Sequence, residues 1–532
     1  MTRVHQLLRR VLGVDDFQAA SVAARDVGHF EYFDVELPGQ KYRGFPPSWG
    51  FAILRDSSKA TDQRAVEQDA HALVHKMKPE TFLVLVSDAP QVHLHDNISF
   101  ANRSVFFIDH SDLLNAPRAS MTPLRRAIQR QMDGNKLSVF RINPYQKGSP
   151  ALGWRFYGRQ RELELLMDTT NSFVIVGGRR IGKTSLMIEA HDRLRRRGED
   201  AYYLSVEECT SAADVLKKLL RHLSARDVSN AIRRNEALSE AMWTAVLKRL
   251  TASTKPVLFL DEMGNVIQKH TADDWKFLGI LRQFYHQGLL RFVISSFQDY
   301  LFLQQKEFTG PLINFATTLR LGPFSRNEAA DLVLVPLDLW RPLGGQREDI
   351  RRSVEARVGR HPLFLQSFCY DLFERIARHP DKDLLGSVRQ LLSEGLVECF
   401  DSANEEVFLR QRSSTLCYLF LRRCREAERE KRPLIQSEID DDWLKQALRE
   451  VGYEAALRDR RNLLEGLEVR GLTARPENKG SDVQVIIAPI IYYLAKTTHP
   501  NIDKYIQNFA DDIRFEEGDW QLMPLAKETE LA

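Results

Sequence analysis

Apolar residues fall along this chain in two rhythms. Between residues 172 and 321 they come as short, strongly apolar or β-branched runs: Ser172–Val176, Ala201–Val206, Val257–Leu260, Arg291–Ser296 and Thr317–Leu321. Runs of this length predict strands buried on both faces, as in a parallel sheet. Between them, Ser185–Ala190, Ala212–Leu223 and Ala237–Leu250 carry helical spacing. Strand and helix in alternation predict an α/β fold, a five-stranded parallel sheet with helices on both faces, over residues 146–322.

The flanks read differently. Trp49–Leu54, Thr81–Val86 and Ser104–Ile108 predict strands, and Asp62–Met77 and Pro123–Met132 amphipathic helices, giving an N-terminal α/β or α+β domain over residues 1–145. Arg141–Trp154 is rich in Pro and Gly and reads as a linker. Phe156–Leu163 then opens a helix toward Met167. Residues 323–410 predict a helical lid. In residues 411–500, Leu416–Arg423 predicts a helix. A second begins within Pro433–Asp440 with Ser437 as its cap, and Arg458–Arg470 forms a third ending at Gly471. Leu472–Arg475 and Val483–Ile487 predict a hairpin around Pro476–Asp482, with Ile490–Leu494 packing back. That order predicts a winged helix. The tail, 501–532, is expected to fray beyond Asp511.

Composition narrows the classes. A chain of 532 residues exceeds what one core supports. A net charge of +3 neither demands nor excludes nucleic acid. Five widely spread cysteines without a CxxC pair indicate neither a disulfide framework nor a zinc site, which predicts reduced thiols and a cytoplasmic location. The N-terminal apolar run is too short and too charged for a signal peptide. No run approaches the ~20 apolar residues of a membrane span, so no membrane partner is expected.

The candidate chemistry sits at strand ends. Gly177-Gly178-Arg179-Arg180-Ile181-Gly182-Lys183-Thr184 matches G-x-x-x-x-G-K-[ST], between a predicted strand and a helix that starts with Ser185. Glycines let backbone N–H groups turn toward a polyphosphate, and the helix N-terminus adds its positive end. Lys183 would reach the β- and γ-phosphates, and the Thr184 hydroxyl would take one position on Mg²⁺. Val257–Leu260 delivers Asp261 and Glu262 to the same sheet edge. Asp261 would hold the Mg²⁺ water shell and Glu262 would polarise the attacking water. Ser295 or Ser296 reads either as a γ-phosphate contact or as a capping serine. In the N-terminal region, Asp34, Glu36, Asp56, Asp88 and Asp109 invite a nuclease reading, with Lys41 and Lys59 nearby. The carboxylate-x-lysine element of such a site is missing. His93 and His95 share a predicted strand face without partner ligands at a metal spacing.

Taken together, GRQREL (158–163), GGRRIGKTS (177–185), LFLDE (258–262), the late strand with its serines, LGPFS (321–325) with Glu328 and Ala329, and VGRHPLFLQ (358–366) resemble the STAND branch of P-loop ATPases, allied to the AAA+ ATPases. The resemblance covers about residues 156–378. It implies ATP and Mg²⁺ as cofactors and adds Gly158 and Arg159 to the nucleotide-binding residues, with Pro362 lying against the adenine. It implies a switch that is closed with ADP and open, often oligomeric, with ATP. Many members carry an arginine soon after the late strand's hydroxyl; here Phe297 and Gln298 follow Ser296. Arg320 reads either as an arginine finger across a subunit boundary or as an edge-strand charge. The winged helix reads either as a duplex-DNA binder, using Arg458, Arg460 and Arg461, or as an internal brake.

Three functions compete. The first is an ATP-hydrolysing switch coupling an unknown protein or nucleic-acid trigger to an N-terminal effector or sensor, in prokaryotic defence or signalling. The second is a DNA-associated AAA+ ATPase of the initiator or transposition-regulator type. The third is a nucleotide-binding scaffold with negligible turnover.

Overall fold

The computed structural model describes residues 3–13, 17–37, 46–55, 62–77, 82–90, 105–114, 122–128 except 125, 143–168, 170–222, 244–266 except 245, 249, 253 and 265, 272–296, 316–340, 343–379, 383–394, 400, 414–476, 483–513 and 522–524. His93, His95, Asp56, Lys41 and Lys59 lie outside them, as do parts of the helices expected over 123–132 and 237–250.

The N-terminal region opens with helix α1 (Arg3–Leu12) and strands β1 (Gln18–Ser21), β2 (Phe30–Glu36) and β3 (Ser48–Leu54). Helix α2 (Gln63–Lys76), strands β4 (Leu83–Val86) and β5 (Val105–Ile108), and short helix α3 (His110–Leu114) follow. The strands lie in chain order across one mixed sheet. β1, β2 and β3 pair antiparallel; β3, β4 and β5 pair parallel. The acids singled out here are spoken for locally. Asp34 accepts from Arg25 at 3.0 Å and from the Tyr32 hydroxyl at 2.8 Å, and its cross-strand partner is Gly50. Asp88 pairs with Arg3 at 2.6 Å, and Asp109 accepts from the Asp112 N–H as α3 begins. Among the described residues, no group of three or more His, Cys, Asp or Glu is placed to hold a metal.

The central block follows the predicted alternation. Helix α4 (Gln160–Met167) leads to β6 (Phe173–Val176), α5 (Lys183–Arg196), β7 (Ala201–Ser205), α6 (Ala212–His222) and β8 (Val257–Asp261). Then come α7 (Ala272–His286), β9 (Arg291–Ser296) and β10 (Thr317–Arg320). All neighbours are parallel, in the order β10-β6-β9-β8-β7. Side chains alternate between two apolar layers. Val174, Leu258 and Phe292 face one; Phe173, Ile175 and Phe259 face the other. Burial on both faces is why these runs lack a polar stripe. The topology puts the ends of β6, β8 and β9 side by side at one sheet edge.

Helices α8 (Arg326–Trp340), α9 (Arg347–Arg357), α10 (Pro362–Arg378) and α11 (Leu384–Glu394) come next. Beyond them are α12 (Ser414–Arg429), β11 (Glu438–Asp440), α13 (Asp441–Arg449), β12 (Tyr453–Ala455), α14 (Leu457–Val469), β13 (Thr473–Ala474), β14 (Val483–Ile486), α15 (Pro489–Thr498), α16 (Ile502–Asp511) and β15 (Leu522–Pro524). β11, β14 and β13 form a small antiparallel sheet. The second helix of this part begins later than the sequence predicts. Residues 438–440 pair with 483–485, so the cap is Asp440, which accepts from the Trp443 N–H at 2.8 Å, and not Ser437. Gly471 ends α14 at φ 71°. Beyond Asp511 the chain returns, with β15 antiparallel to β12.

A single apolar cluster joins one face of the N-terminal sheet, through Tyr145, to α8–α11 and the C-terminal helices. At its centre the α9–α10 turn is bonded to the C-terminal sheet: Arg360 donates its N–H to Ile487 O at 2.9 Å. Gly359, at φ 87°, makes this approach possible, since a Cβ there would stand 2.1 Å from Ile487 O. Gly359→Ala is therefore expected to lower the unfolding free energy by about 2 kcal/mol or more, through φ strain plus overpacking. Urea unfolding checks it; an unchanged midpoint with an unchanged slope contradicts the contact.

Candidate functional site

The loop from β6 to α5 is shaped by lack of room. A Cβ on Gly177 would stand 2.7 Å from Leu321 O, and Leu321 is itself bonded to Val176 O at 2.8 Å. Arg180 (φ 57°) and Gly182 (φ 101°) take left-handed conformations, and α5 starts directly after. The loop thereby ends on the N–H-rich terminus of a helix, a ready anion site. Lys183, only 5% exposed, donates from Nζ to Gly177 O at 2.9 Å and Gly178 O at 3.0 Å.

Opposite stands the pair from β8. Asp261 is 1% exposed and keeps each carboxylate oxygen on a hydroxyl: Tyr203 Oη donates to Oδ2 at 2.7 Å and Ser295 Oγ to Oδ1. Glu262 follows with φ 61°, a conformation that costs a non-glycine residue about 1–3 kcal/mol. Two bonds to β9 hold it. Its N–H donates to Ser295 Oγ at 2.8 Å, and the Met263 N–H donates to Ser295 O at 3.0 Å. The strain aims Glu262 into the cavity that Lys183 and Thr184 also line.

The two charges act on one another. Burial pulls the Lys183 ammonium below its ordinary pKa, opposed by the fields of Glu262 and Asp261. Burial pushes the Glu262 carboxyl up, opposed by Lys183. Each group makes the other's buried charge tolerable.

The cavity between them holds about 230 Å³. Arg180, Gly182, Lys183, Thr184, Ser185 and Glu262 form its polar end. Ile181, Phe156, Tyr157, Phe324 and Pro362 give apolar walls, and Arg159 also lines it. Gly177 and Gly178 lie behind, under the Lys183 ammonium. Arg179 is exposed and is not among the lining residues. Gly158 packs against Phe324 and Glu328, while Arg159 bonds Ile181 O and Gly322 O.

One predicted residue is elsewhere, and the side chain of another is not described. Arg320, on edge strand β10, pairs with Glu465 of α14 at 2.5 Å, which turns it toward the C-terminal part of its own chain. Ser296 ends β9, but its side chain lies outside the described residues; the hydroxyl serving Asp261 belongs to Ser295. Of the arginines expected to meet duplex DNA, Arg460 is engaged by Asp441 at 2.7 and 2.8 Å and by Ala455 O, whereas Arg458 and Arg461 are on the surface.

Sequence reasoning missed Tyr203 and the whole front wall. Of the linker expected over 141–154, the described residues from 143 onward, with Arg155, form a strap across the cavity. Tyr145 Oη donates to Val333 O at 3.0 Å, the Gln146 N–H to Gln366 Oε1 at 3.0 Å, and the Ala151 N–H to Ser185 Oγ at 3.1 Å. Gln146, Gly148, Ser149, Pro150 and Ala151 line the cavity. No local periodicity signals this. The only hint is two aromatic residues, Tyr145 and Trp154, within a Pro- and Gly-rich stretch.

A parallel sheet of this strand order, with a glycine loop feeding a helix and an acidic pair two strands away, defines a P-loop nucleotide-binding fold. Residues 166–298 match the family model described as AAA domain, so this part of the chain is a P-loop, AAA+-related ATPase domain. No curated protein matches the chain. Among solved structures, it is similar to the Walker-type ATPase paby2304 of Pyrococcus abyssi (15% identity, 66% of this chain and 99% of that one, TM-score 0.44). It is also similar to the ORC2 protein of Aeropyrum pernix in its ADPNP–ADP complexes (15%, 68% and 97%, TM-score 0.44). A third is the Aeropyrum pernix ORC1 protein in complex with DNA (14%, 66% and 94%, TM-score 0.32). Likeness at this level extends neither to activity nor to partners.

The raised Glu262 pKa has a consequence for stability. A folded-state pKa above the unfolded value of 4.5 means the native chain loses stability as pH rises from there through the folded pKa. Glu262→Gln is expected to stabilise the nucleotide-free protein at pH 7–8, with the gain vanishing below about pH 4.5, read by thermal unfolding across pH. A gain that persists at low pH contradicts the assignment.

Proposed function

We propose that the protein is an ATP-binding and ATP-hydrolysing switch of the STAND type. The observation that carries this reading is the buried Lys183 ammonium facing Glu262 across one cavity at a helix N-terminus. Backbone N–H groups of residues 180–185 and the Lys183 ammonium would take the phosphates, with Lys183 moving from the Gly177 and Gly178 carbonyls onto the ligand. Pro362 and the neighbouring apolar wall would lie against the base.

The residues present also suit magnesium. Thr184 and Asp261 supply hard oxygen donors, and each Asp261 carboxylate oxygen already accepts one hydroxyl. When bound, the ion would neutralise charge on the phosphates. Glu262, held in its strained conformation, orients and polarises the attacking water and accepts its proton.

Lys183→Ala is expected to abolish binding of a fluorescent ATP analogue; unaltered affinity rejects the loop assignment. Glu262→Gln is expected to keep binding while lowering turnover about a hundredfold or more. A turnover within twofold of the parent removes Glu262 from the chemistry.

The switch reading draws support from the C-terminal part, which we read as a winged helix acting as a brake. It grips the nucleotide domain at two points. Gly471 packs so closely on Ile181 of the glycine loop that a Cβ would stand 3.2 Å from its side chain, and Glu465 holds Arg320. Nucleotide exchange would release this grip, allow assembly with further copies and expose the N-terminal region as effector or sensor, in defence or signalling. The engagement of Arg460 by Asp441 favours this role over duplex-DNA binding.

The half-exposed Arg320–Glu465 pair contributes at most about 1 kcal/mol. Glu465→Ala and Arg320→Ala are accordingly each expected to raise basal turnover by up to about fivefold. An arginine finger predicts the opposite sign for Arg320→Ala, and a turnover loss of tenfold or more would establish that role instead.

A further inference from the structure

Tyr203 belongs to no motif, yet its hydroxyl is one of only two described donors on the most buried acid of the site. In the sheet, Ser205 stands opposite Asp261 and Tyr203 opposite Phe259, so the phenol comes from the neighbouring strand and reaches along it to Asp261 Oδ2 at 2.7 Å. The ring is not loose. It is half-buried in the apolar layer with Phe259, and the His191 ring of α5 lies 6.2 Å from it. Ser295 takes Oδ1 from the other side, so the carboxylate is clamped between β7 and β9.

We propose that Tyr203 is a positioning residue that fixes the Asp261 carboxylate for a divalent cation, an inference resting on the reading of the site as a Mg²⁺–nucleotide site. An ionised carboxylate offers two lone pairs on each oxygen, so a hydroxyl on each leaves one per oxygen for the cation or its water. Turning about its last bond would break one hydroxyl contact or the other. A phenol, with an ordinary pKa of about 10, is a donor through the physiological range. Removing the phenolic oxygen leaves only the Ser295 hydroxyl. The acid then gains torsional freedom and is open to the nearby Lys183 ammonium, which competes with the cation for it. Outer partners of metal-binding groups commonly change metal affinity 10–100-fold when lost.

The test is Tyr203→Phe in the full-length chain, which keeps the ring and its packing. Mn²⁺ affinity in the ADP complex is read by electron spin resonance, and ADP affinity is measured by calorimetry with EDTA and with Mg²⁺. The expected result is Mn²⁺ binding weakened about tenfold or more, ADP affinity in EDTA within twofold of the parent, and an unfolding temperature close to the parent's. Mn²⁺ affinity that is unchanged or increased overturns the proposal. So does an equal loss of ADP affinity in EDTA, which marks a merely structural role. Should the variant fail to fold, Ser295→Ala releases the clamp from the other side and must give the same selective loss of Mn²⁺. If the parent protein itself binds no ADP under either condition, the nucleotide reading fails and this inference goes with it, a result distinguishable from a Tyr203 effect seen against a binding parent.

Discussion

An ammonium that has been taken out of water needs negative charge nearby, and at Lys183 that requirement organises the molecule. Two glycine carbonyls accept its protons, and the fields of Glu262 and Asp261 offset its burial. The acids in turn depend on others. Asp261 is held by hydroxyls from the strands on either side, and Glu262 stays in a strained conformation because Ser295 bonds the turn. Strand order, register and loop shape therefore answer to one electrostatic problem. A phosphate chain solves it more fully than the protein alone does, since it supplies the anion that the loop, the ammonium and the helix terminus all favour.

The parts legible from sequence are those whose chemistry is contiguous. The glycine loop, its strand and its helix follow one another along the chain, and Asp261 and Glu262 end an apolar run roughly 75 residues further on, in the order such a fold needs. Tyr203 was hidden because its partner lies 58 residues away and meets it only once β7 is known to lie beside β8. In the N-terminal sheet, β2 escaped because its charged residues Glu31, Asp34 and Glu36 break the apolar run, although the pairing with β3 extends over seven residues. Ser437 looked like a helix cap because the residue type fits. Pairing of 438–440 with 483–485 claimed those residues first, and Asp440 inherited the task. In each case a contact distant in sequence overruled a sound local preference.

Magnitudes separate what holds the C-terminal part in place from what adjusts it. The half-exposed pair of Arg320 and Glu465 is worth at most about 1 kcal/mol, whereas each fully buried Leu, Ile or Phe of the shared apolar cluster contributes about 1.5–3 kcal/mol. Attachment to α8–α11 is thus apolar and strong, reinforced by the backbone bond at Ile487. Contact with the nucleotide domain includes, among the described residues, the packing of Gly471 on Ile181 and the one ion pair. The weaker seam is the one that runs beside the cavity.

The strap at residues 143–155 bears on where this protein can be cut. The family match begins at residue 166, downstream of every strap residue that fronts the cavity. A fragment trimmed to that match would keep the glycine loop and the acidic pair, yet it would lose the strap together with Arg159, Phe324 and Pro362 from the pocket's lining and leave Ser185 stripped of its strap bond. The complete pocket in this chain thus belongs to a length of polypeptide longer than its motifs. The same stretch lies on the covalent route from the N-terminal sheet to the cavity.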